Sequence, residues 1–395
     1  MTGDALHVFD DNGFSRERSF EMSNILDYLR WRGDLPLNVI PINEVDGLIL
    51  AELSMMHWEY GLAPEASATL SALFPSMQRQ PVSVGFTAEN DMKLLTALSD
   101  SARFGDLRIS DYTARSDAAL ETQFAAIAIH LPDGAIFVSF RGTDASIVGW
   151  KEDCNLAFST PVPAQDAARE YLARIGREYP DRPLWVGGHS KGGNLAMYAA
   201  ATADAAVRDR LLGVYNYDGP GLSDRMDAQA LYARLSGRLH SCVPQGSIVG
   251  LLLAHPDEYT VVKSVSVGIL QHDPYSWQAE GPAFVRMPEL SRDSARFDIA
   301  FRRWLSEVDE ADRGILIGTL FDILEASGSP SFGPEFWQGI SRNPGAVMAA
   351  IREVDPQARK RVSRMLMDLA GYMLVRQERR PRPAGTPEDD APAPV

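Results

Sequence analysis

The sharpest chemical signal in this 395-residue chain is Gly188-His189-Ser190-Lys191-Gly192, a serine with a glycine two positions away on each side. The apolar run Leu184-Trp185-Val186 leads into it, and a small-residue helical pattern from Gly193 to Ala203 follows. A serine on such a strand-to-helix turn is a nucleophile elbow. The glycines let strand and helix approach without Cβ clashes, and the strained turn pushes the hydroxyl into the open. The turn also puts the Lys191 N–H at a helix N-terminus, where it can stabilise an oxyanion. The lysine precedes the glycine pair, so neither phosphate-loop pattern is present. The Lys191 side chain is expected to be solvated.

A serine nucleophile needs a base and an orienting acid. Three histidines lie downstream, His240, His255 and His272. His272 is the expected base because it directly follows the apolar segment Tyr259 to Leu270, where an α/β hydrolase carries its histidine; His255 and then His240 are the alternatives. His189 adjoins the serine, but neighbouring side chains on a tight turn diverge, so a packed, hydrogen-bonded histidine is expected there. Asp218, in Asp218-Gly219-Pro220-Gly221 after the next strand, satisfies the chain order serine, acid, histidine. It could equally be an ordinary turn aspartate, with Asp257 in reserve.

The surrounding pattern is α/β. Phe124 to Ile129 and Ala135 to Phe140 read as a hairpin across Leu131-Pro132-Asp133-Gly134, and the second strand runs into Arg141-Gly142-Thr143-Asp144. Gln165 to Tyr179 has one apolar face and reads as a crossover helix into Leu184 to Val186. Leu211 to Tyr217 is the next strand, Ala228 to Leu235 a helix, and Tyr259 to Val267 a strand. Upstream, a short helix is expected from Ser23, another over Asp46 to Tyr60 and a third over Asn90 to Ser101. Arg32-Gly33-Asp34 reads as a turn. Residues 1–22 are read as loose, 23–285 as the hydrolase domain, 286–377 as a helical appendix and 378–395 as a disordered tail.

With 53 acidic against 38 basic residues, the net charge of −15 argues against nucleic acid as a partner. Cys154 and Cys242 are the only cysteines, and no cysteine or histidine cluster offers a metal site, so no metal or cofactor is expected. The acidic, polar start resembles no signal peptide and no apolar stretch is long enough to span a bilayer; a cytoplasmic location is expected. Arg359, Lys360, Arg361 and Arg364 precede Val362, Met365, Leu366, Leu369 and Met373 at helical spacing. Such a helix either docks on the appendix or makes peripheral contact with an anionic membrane.

Val138-Ser139-Phe140-Arg141-Gly142-Thr143-Asp144 with Trp150, followed by Gly188-His189-Ser190-Lys191-Gly192-Gly193, resembles the class 3, fungal-type lipases. That resemblance implies that Thr143 joins Lys191 as an oxyanion donor. Trp31-Arg32-Gly33-Asp34-Leu35, Asn43-Glu44-Val45-Asp46, the elbow, Asp218-Gly219-Pro220-Gly221, Ser247-Ile248-Val249-Gly250 and His272-Asp273-Pro274-Tyr275-Ser276-Trp277 resemble more closely the Mbeg-like family. This is a bacterial α/β-hydrolase family described as a domain of unknown function, and the likeness covers most of residues 23–280. Two departures from the class 3 pattern stand out. Ser247 occupies the position that best aligns with the lipases' aspartate, and Lys191 replaces a leucine.

These readings imply an α/β-hydrolase fold with a mostly parallel central sheet, a nucleophile elbow and a C-terminal helical appendix. The expected function is serine hydrolysis of a carboxylic ester or thioester, on a small-molecule or lipid substrate, through an acyl-enzyme on Ser190. The alternative is a catalytically idle scaffold with a binding or regulatory role, for which Ser247 in the acid position is the argument.

Overall fold

The computed structural model describes residues 24–63, 65–83, 87–117, 122–143, 156, 161–223 and 226–307, with single helical positions between 345 and 367. The chain opens with α1 (Ile25–Arg32) and α2 (Glu44–Glu52), each begun by a capping box, Asn24 with Asp27 and Asn43 with Asp46. Gly33 closes α1 through its N–H to the Leu29 carbonyl, so Arg32-Gly33-Asp34 is a turn at a helix end. The helix expected over Asp46 to Tyr60 stops at Glu52 and continues as two 3₁₀ turns, Leu53–Met55 and Trp58–Tyr60. The short strand β1 (Ala68–Thr69) precedes α3 (Leu70–Met77) and α4 (Ala88–Ser99).

Then come β2 (Arg108–Asp117), β3 (Thr122–His130) and β4 (Ile136–Phe140). β3 and β4 form the expected hairpin, with Leu131 N bonded to the Ala135 carbonyl at 2.9 Å. The polar β2 carries no apolar alternation to signal it; its outer neighbour is only the two-residue β1, so its second half is largely exposed. Crossover helix α5 (Pro163–Glu178) starts with proline at its first turn and leads to β5 (Leu184–His189). From there the chain runs through α6 (Lys191–Thr202), α7 (Ala205–Arg208), β6 (Leu211–Tyr217), α8 (Ala228–Arg234), β7 (Leu239–Pro244) and β8 (Thr260–Val262). A small hairpin, β9 (Ala279–Glu280) with β10 (Ala283–Phe284), and α9 (Arg292–Glu307) follow.

Eight strands form one sheet in chain order, antiparallel from β1 to β4 and parallel from β4 to β8. Strictly sequential parallel strands joined by right-handed crossovers put all crossover helices on one face. That face is a core of β4, β5 and β6 residues with Leu172, Leu195, Met197 and Ala199. The opposite face must be covered by other chain, and α1, α2 and α4 do so with Ile25, Leu48, Ile49 and Leu94, joined by Trp277 and Phe284. Sheet and two helical layers make an α/β-hydrolase architecture.

The strand expected to reach Val267 ends at Val262. Beyond it the chain peels away to pair with the returning segment, Lys263 N to the Val285 carbonyl at 2.8 Å and Val265 N to the Ser276 carbonyl at 3.0 Å. Of the expected helical appendix, α9 is described as a continuous helix. The tail, Asp144, Trp150 and most of the basic amphipathic helix lie outside the described residues.

Candidate active site

Ser190 ends β5 and begins α6 with φ 58° and ψ −133°, a backbone conformation that costs a non-glycine residue roughly 1–3 kcal/mol. The glycines around it are sterically required. A Cβ on Gly188 would lie 2.2 Å from the Gly192 carbonyl carbon, and one on Gly192 would lie 2.1 Å from the Phe140 carbonyl oxygen. Ser190 N donates to the Tyr217 carbonyl of β6 at 2.9 Å, tying the elbow to the neighbouring strand.

That strand ends in Asp218, itself at φ 50° and wholly buried. Its N–H bonds the Cys242 carbonyl of β7 at 2.8 Å. His272 ends a 3₁₀ turn (Gly268–His272), and its Nδ1 lies 2.7 Å from Asp218 Oδ2. The imidazole is a quarter exposed while the carboxylate is 1% exposed. Nδ1 therefore carries the proton facing the carboxylate, which leaves Nε2 as the basic nitrogen.

Ser247, the residue in the acid's expected place, donates its hydroxyl to Asp218 Oδ1 at 2.5 Å, and Gly250 N donates to the same oxygen at 3.1 Å. β6 and β7 are parallel neighbours, so Asp218 at one carboxyl end and Ser247 beyond the other reach the same spot. Ser247 thus solvates the carboxylate that faces His272. Gly250 must be glycine, because a Cβ there would lie 2.4 Å from Asp218 Oδ1.

Thr143 follows the end of β4. At the preceding Gly142 a Cβ would approach the His189 carbonyl to 2.8 Å and Ser190 Cβ to 3.4 Å, so this strand end packs directly on the elbow. Buried Arg141 holds it there, donating through Nε to the Ser54 carbonyl at 2.7 Å and through a terminal nitrogen to the Met56 carbonyl at 2.6 Å. Lys191 is the first residue of α6, so its N–H belongs to the helix N-terminus. Its side chain is not solvated as expected: Lys191 is 1% exposed and Nζ donates to the Gln123 carbonyl at 2.9 Å. The aliphatic stem is buried, and the amino group ends on a backbone acceptor of β3.

The alternative residues are engaged elsewhere or stand apart. His255 Nδ1 faces the Pro256 carbonyl at 3.1 Å, and its Nε2 lies 3.5 Å from Asp298 of α9. His240 sits at the amino end of β7, stacked on Tyr215, and burial holds its pKa below the ordinary value. Asp257 is exposed in the loop before β8. His189 is packed, as expected, with its Nε2 3.0 Å from the His272 carbonyl.

Three supporting residues carry no motif of their own. Buried Asn194 donates to the Gly221 carbonyl at 2.7 Å and accepts from Gln165 Nε2 at 2.9 Å. Asn216 accepts from Gly219 N at 3.0 Å. Together they fix the Asp218-Gly219-Pro220-Gly221 turn. A buried asparagine flanking the elbow is the signal that could have pointed to them.

The profile of the Mbeg1-like family matches residues 98–322, more than half of the chain. The chain belongs to the Mbeg1-like family. The matched span begins in α4, takes in the whole elbow, acid and histidine region, and ends beyond α9. Comparison with curated proteins returns no match. Solved structures similar to the chain include lipase II from Rhizopus niveus, at 15% identity over 48% of this chain and 86% of that one, TM-score 0.35. Lip2 lipase from Yarrowia lipolytica is similar at 14% identity over 58% and 80%, TM-score 0.34. A lipase from Rhizopus microsporus var. chinensis is similar at 15% identity over 47% and 74%, TM-score 0.31. The sheet order and the elbow carry the fold assignment. Among the described residues no helix is long and apolar enough to cross a membrane, and no group of three or more His, Cys, Asp or Glu side chains could hold a metal ion.

Proposed function

We propose that this Mbeg1-like protein is a serine hydrolase that cleaves a carboxylic ester or thioester. The observation that carries the reading is the Asp218–His272 pair, 2.7 Å apart, with Asp218 at the end of the strand parallel and next to the one that ends in a serine held in elbow geometry. Ser190 Oγ attacks the substrate carbonyl while His272 Nε2 takes its proton. The oxyanion settles on the N–H groups of Thr143 and Lys191, and His272 returns the proton to the leaving alcohol or thiol. Water, activated by the same nitrogen, then hydrolyses the acyl-enzyme. Asp218 orients the imidazole and balances its charge throughout.

The loop leading to His272 leaves Val265, Val267 and Leu270 64–74% exposed, which favours a substrate with an apolar acyl chain or a lipid. The best support for the idle-scaffold reading was Ser247 in the acid position, and the carboxylate on His272 favours the hydrolase instead.

Fluorophosphonate labelling of the purified protein tests the reading, followed by rates on a panel of p-nitrophenyl esters and acyl thioesters. Ser190→Ala is expected to abolish labelling and lower the rate by about 10⁶-fold with unchanged circular dichroism. Persistent labelling of that variant would refute Ser190 as nucleophile.

A further inference from the structure

The residue beside the nucleophile turns away from it and toward the base. His189 is 8% exposed, and its ring lies against that of His272 with centroids 4.7 Å apart and planes inclined by 31°. Its Nε2 is 3.0 Å from the His272 main-chain carbonyl, which can only accept, so that nitrogen carries a proton. Its Nδ1 is 3.2 Å from Oε1 of Glu52, the last residue of α2 and 2% exposed. Glu52 Oε1 is buried and, among the described residues, accepts no well-formed hydrogen bond; its contact to His189 is at ion-pair distance. A carboxylate at a helix C-terminus is opposed by the helix dipole, and a buried one without a cation is costlier still.

We infer that Glu52 and His189 form a buried ion pair, and that the doubly protonated His189 ring positions His272 by holding its carbonyl and the face of its imidazole. A neutral His189 with its proton on Nε2 would turn a lone pair on Nδ1 toward the Glu52 oxygen, so one of the two groups must supply a further proton. The charged groups around the ring favour placing that proton on His189. Glu52 faces it from α2, Asp218 from the end of β6, and Asp273 and His272 from the turn that follows β8; Asp91 of α4 faces Glu52 in turn. Burial works against a charge on His189, but Glu52, Asp218 and the His272 carbonyl outweigh it and raise its pKa above the ordinary value. The pair is neutral as a whole, so it can brace His272 without adding net charge beside an imidazole that must itself become cationic during acyl transfer.

The kinetic consequence rests on the acyl-transfer reading; the protonation state does not. Nitrogen-15 NMR of histidine-labelled full-length protein, with the His189 signals identified by their loss in His189→Gln, reads the ring directly. Both ring nitrogens of His189 are expected to carry protons at pH 7, and Glu52→Gln is expected to release the Nδ1 proton. The same variant should lower kcat by about 10- to 10²-fold with KM within about twofold, as expected when a reacting group loses its alignment but substrate binding is spared. A lone pair on either His189 nitrogen in the wild type at pH 7 would overturn the ion pair, as would a doubly protonated ring surviving in Glu52→Gln. An unchanged kcat in that variant would overturn the positioning role. If Glu52→Gln fails to fold, the wild-type spectrum alone decides the ion pair. If the wild type takes no fluorophosphonate label, the acyl-transfer reading fails and the nitrogen spectra still decide the pair.

Discussion

At Asp218 two adjacent strand ends contribute to one carboxylate, β6 supplying the acid and the loop after β7 supplying its donors. Each oxygen has its own duty: Oδ2 faces His272, while Oδ1 accepts from Ser247 and Gly250. Asp218→Asn keeps the shape but presents an amide to Nδ1 and loses the charge, so kcat should fall by about 10⁴-fold. Ser247→Ala removes a charge-assisted hydrogen bond of about 1.5–3 kcal/mol, which at about 1.4 kcal/mol per decade predicts a loss of about 10- to 10²-fold. A Ser247→Ala enzyme as slow as Asp218→Asn would show that the acid's role is wrongly assigned. Both comparisons need only steady-state rates on the best ester of the panel.

The segment carrying His272 has almost no regular structure, and its order comes from what it touches. Tyr275 donates to Asp91 of α4 at 2.6 Å, Asn24 donates to the Tyr275 carbonyl at 3.0 Å, and Trp277 donates to the Gln271 carbonyl at 2.8 Å. Asp91 is buried at a cost: burial and then the nearby Glu52 push its pKa up from 3.8 to about 6, although Ser83, Tyr275 and Thr87 donate to it. A carboxyl whose folded pKa lies above its unfolded value binds more protons when folded. The corresponding stability is fully present below pH 3.8 and is lost as pH rises through about 6. The loss is up to about 3 kcal/mol, at about 1.4 kcal/mol per pKa unit. Urea unfolding between pH 4 and 7 should therefore show the wild type weakening relative to Asp91→Asn. A difference between the two proteins that stays flat with pH would remove Asp91 from this account.

Across the whole molecule, the sheet face opposite the crossover helices depends on the N-terminal layer, and a buried ion pair ties that layer together. The Arg103 guanidinium contacts both Asp46 oxygens, with Nε 2.9 Å from Oδ1, and also caps the Leu35 and Ile40 carbonyls at 2.9 and 3.0 Å. Both side chains are fully buried. Tyr28 adds its hydroxyl to Asp46 at 2.8 Å, and burial ahead of the Asp46 charge pushes its own pKa far up. Removing one partner strands the other's charge, so Arg103→Leu should cost about 3–5 kcal/mol in chemical denaturation. Because α2 also carries Glu52, the same variant should disturb the active site; full activity at native stability would detach this layer from the chemistry.

What is local in this protein can be read along the chain. The glycines two positions from Ser190 announced the elbow, because no other residue tolerates that closeness of strand and helix. The hairpin before it and the strand from Leu211 to Tyr217 were legible from alternation and from turn residues. His272 was preferred among three histidines from its place after the last apolar segment, but whether Asp218 is its partner or an ordinary turn aspartate was not legible, because that depends on which strand ends lie side by side. Three-dimensional packing alone makes Ser247 donate to Asp218, buries the Lys191 stem against β3, and turns His189 toward His272. β2 escaped the reading because a half-exposed strand beside a two-residue neighbour needs no apolar pattern. Glu52 escaped it because a lone glutamate at a helix end looks solvated until the fold places a histidine over it. Spacing records contacts along the chain, whereas this site is built from contacts across it, such as that between Asn24 and Tyr275, 251 positions apart.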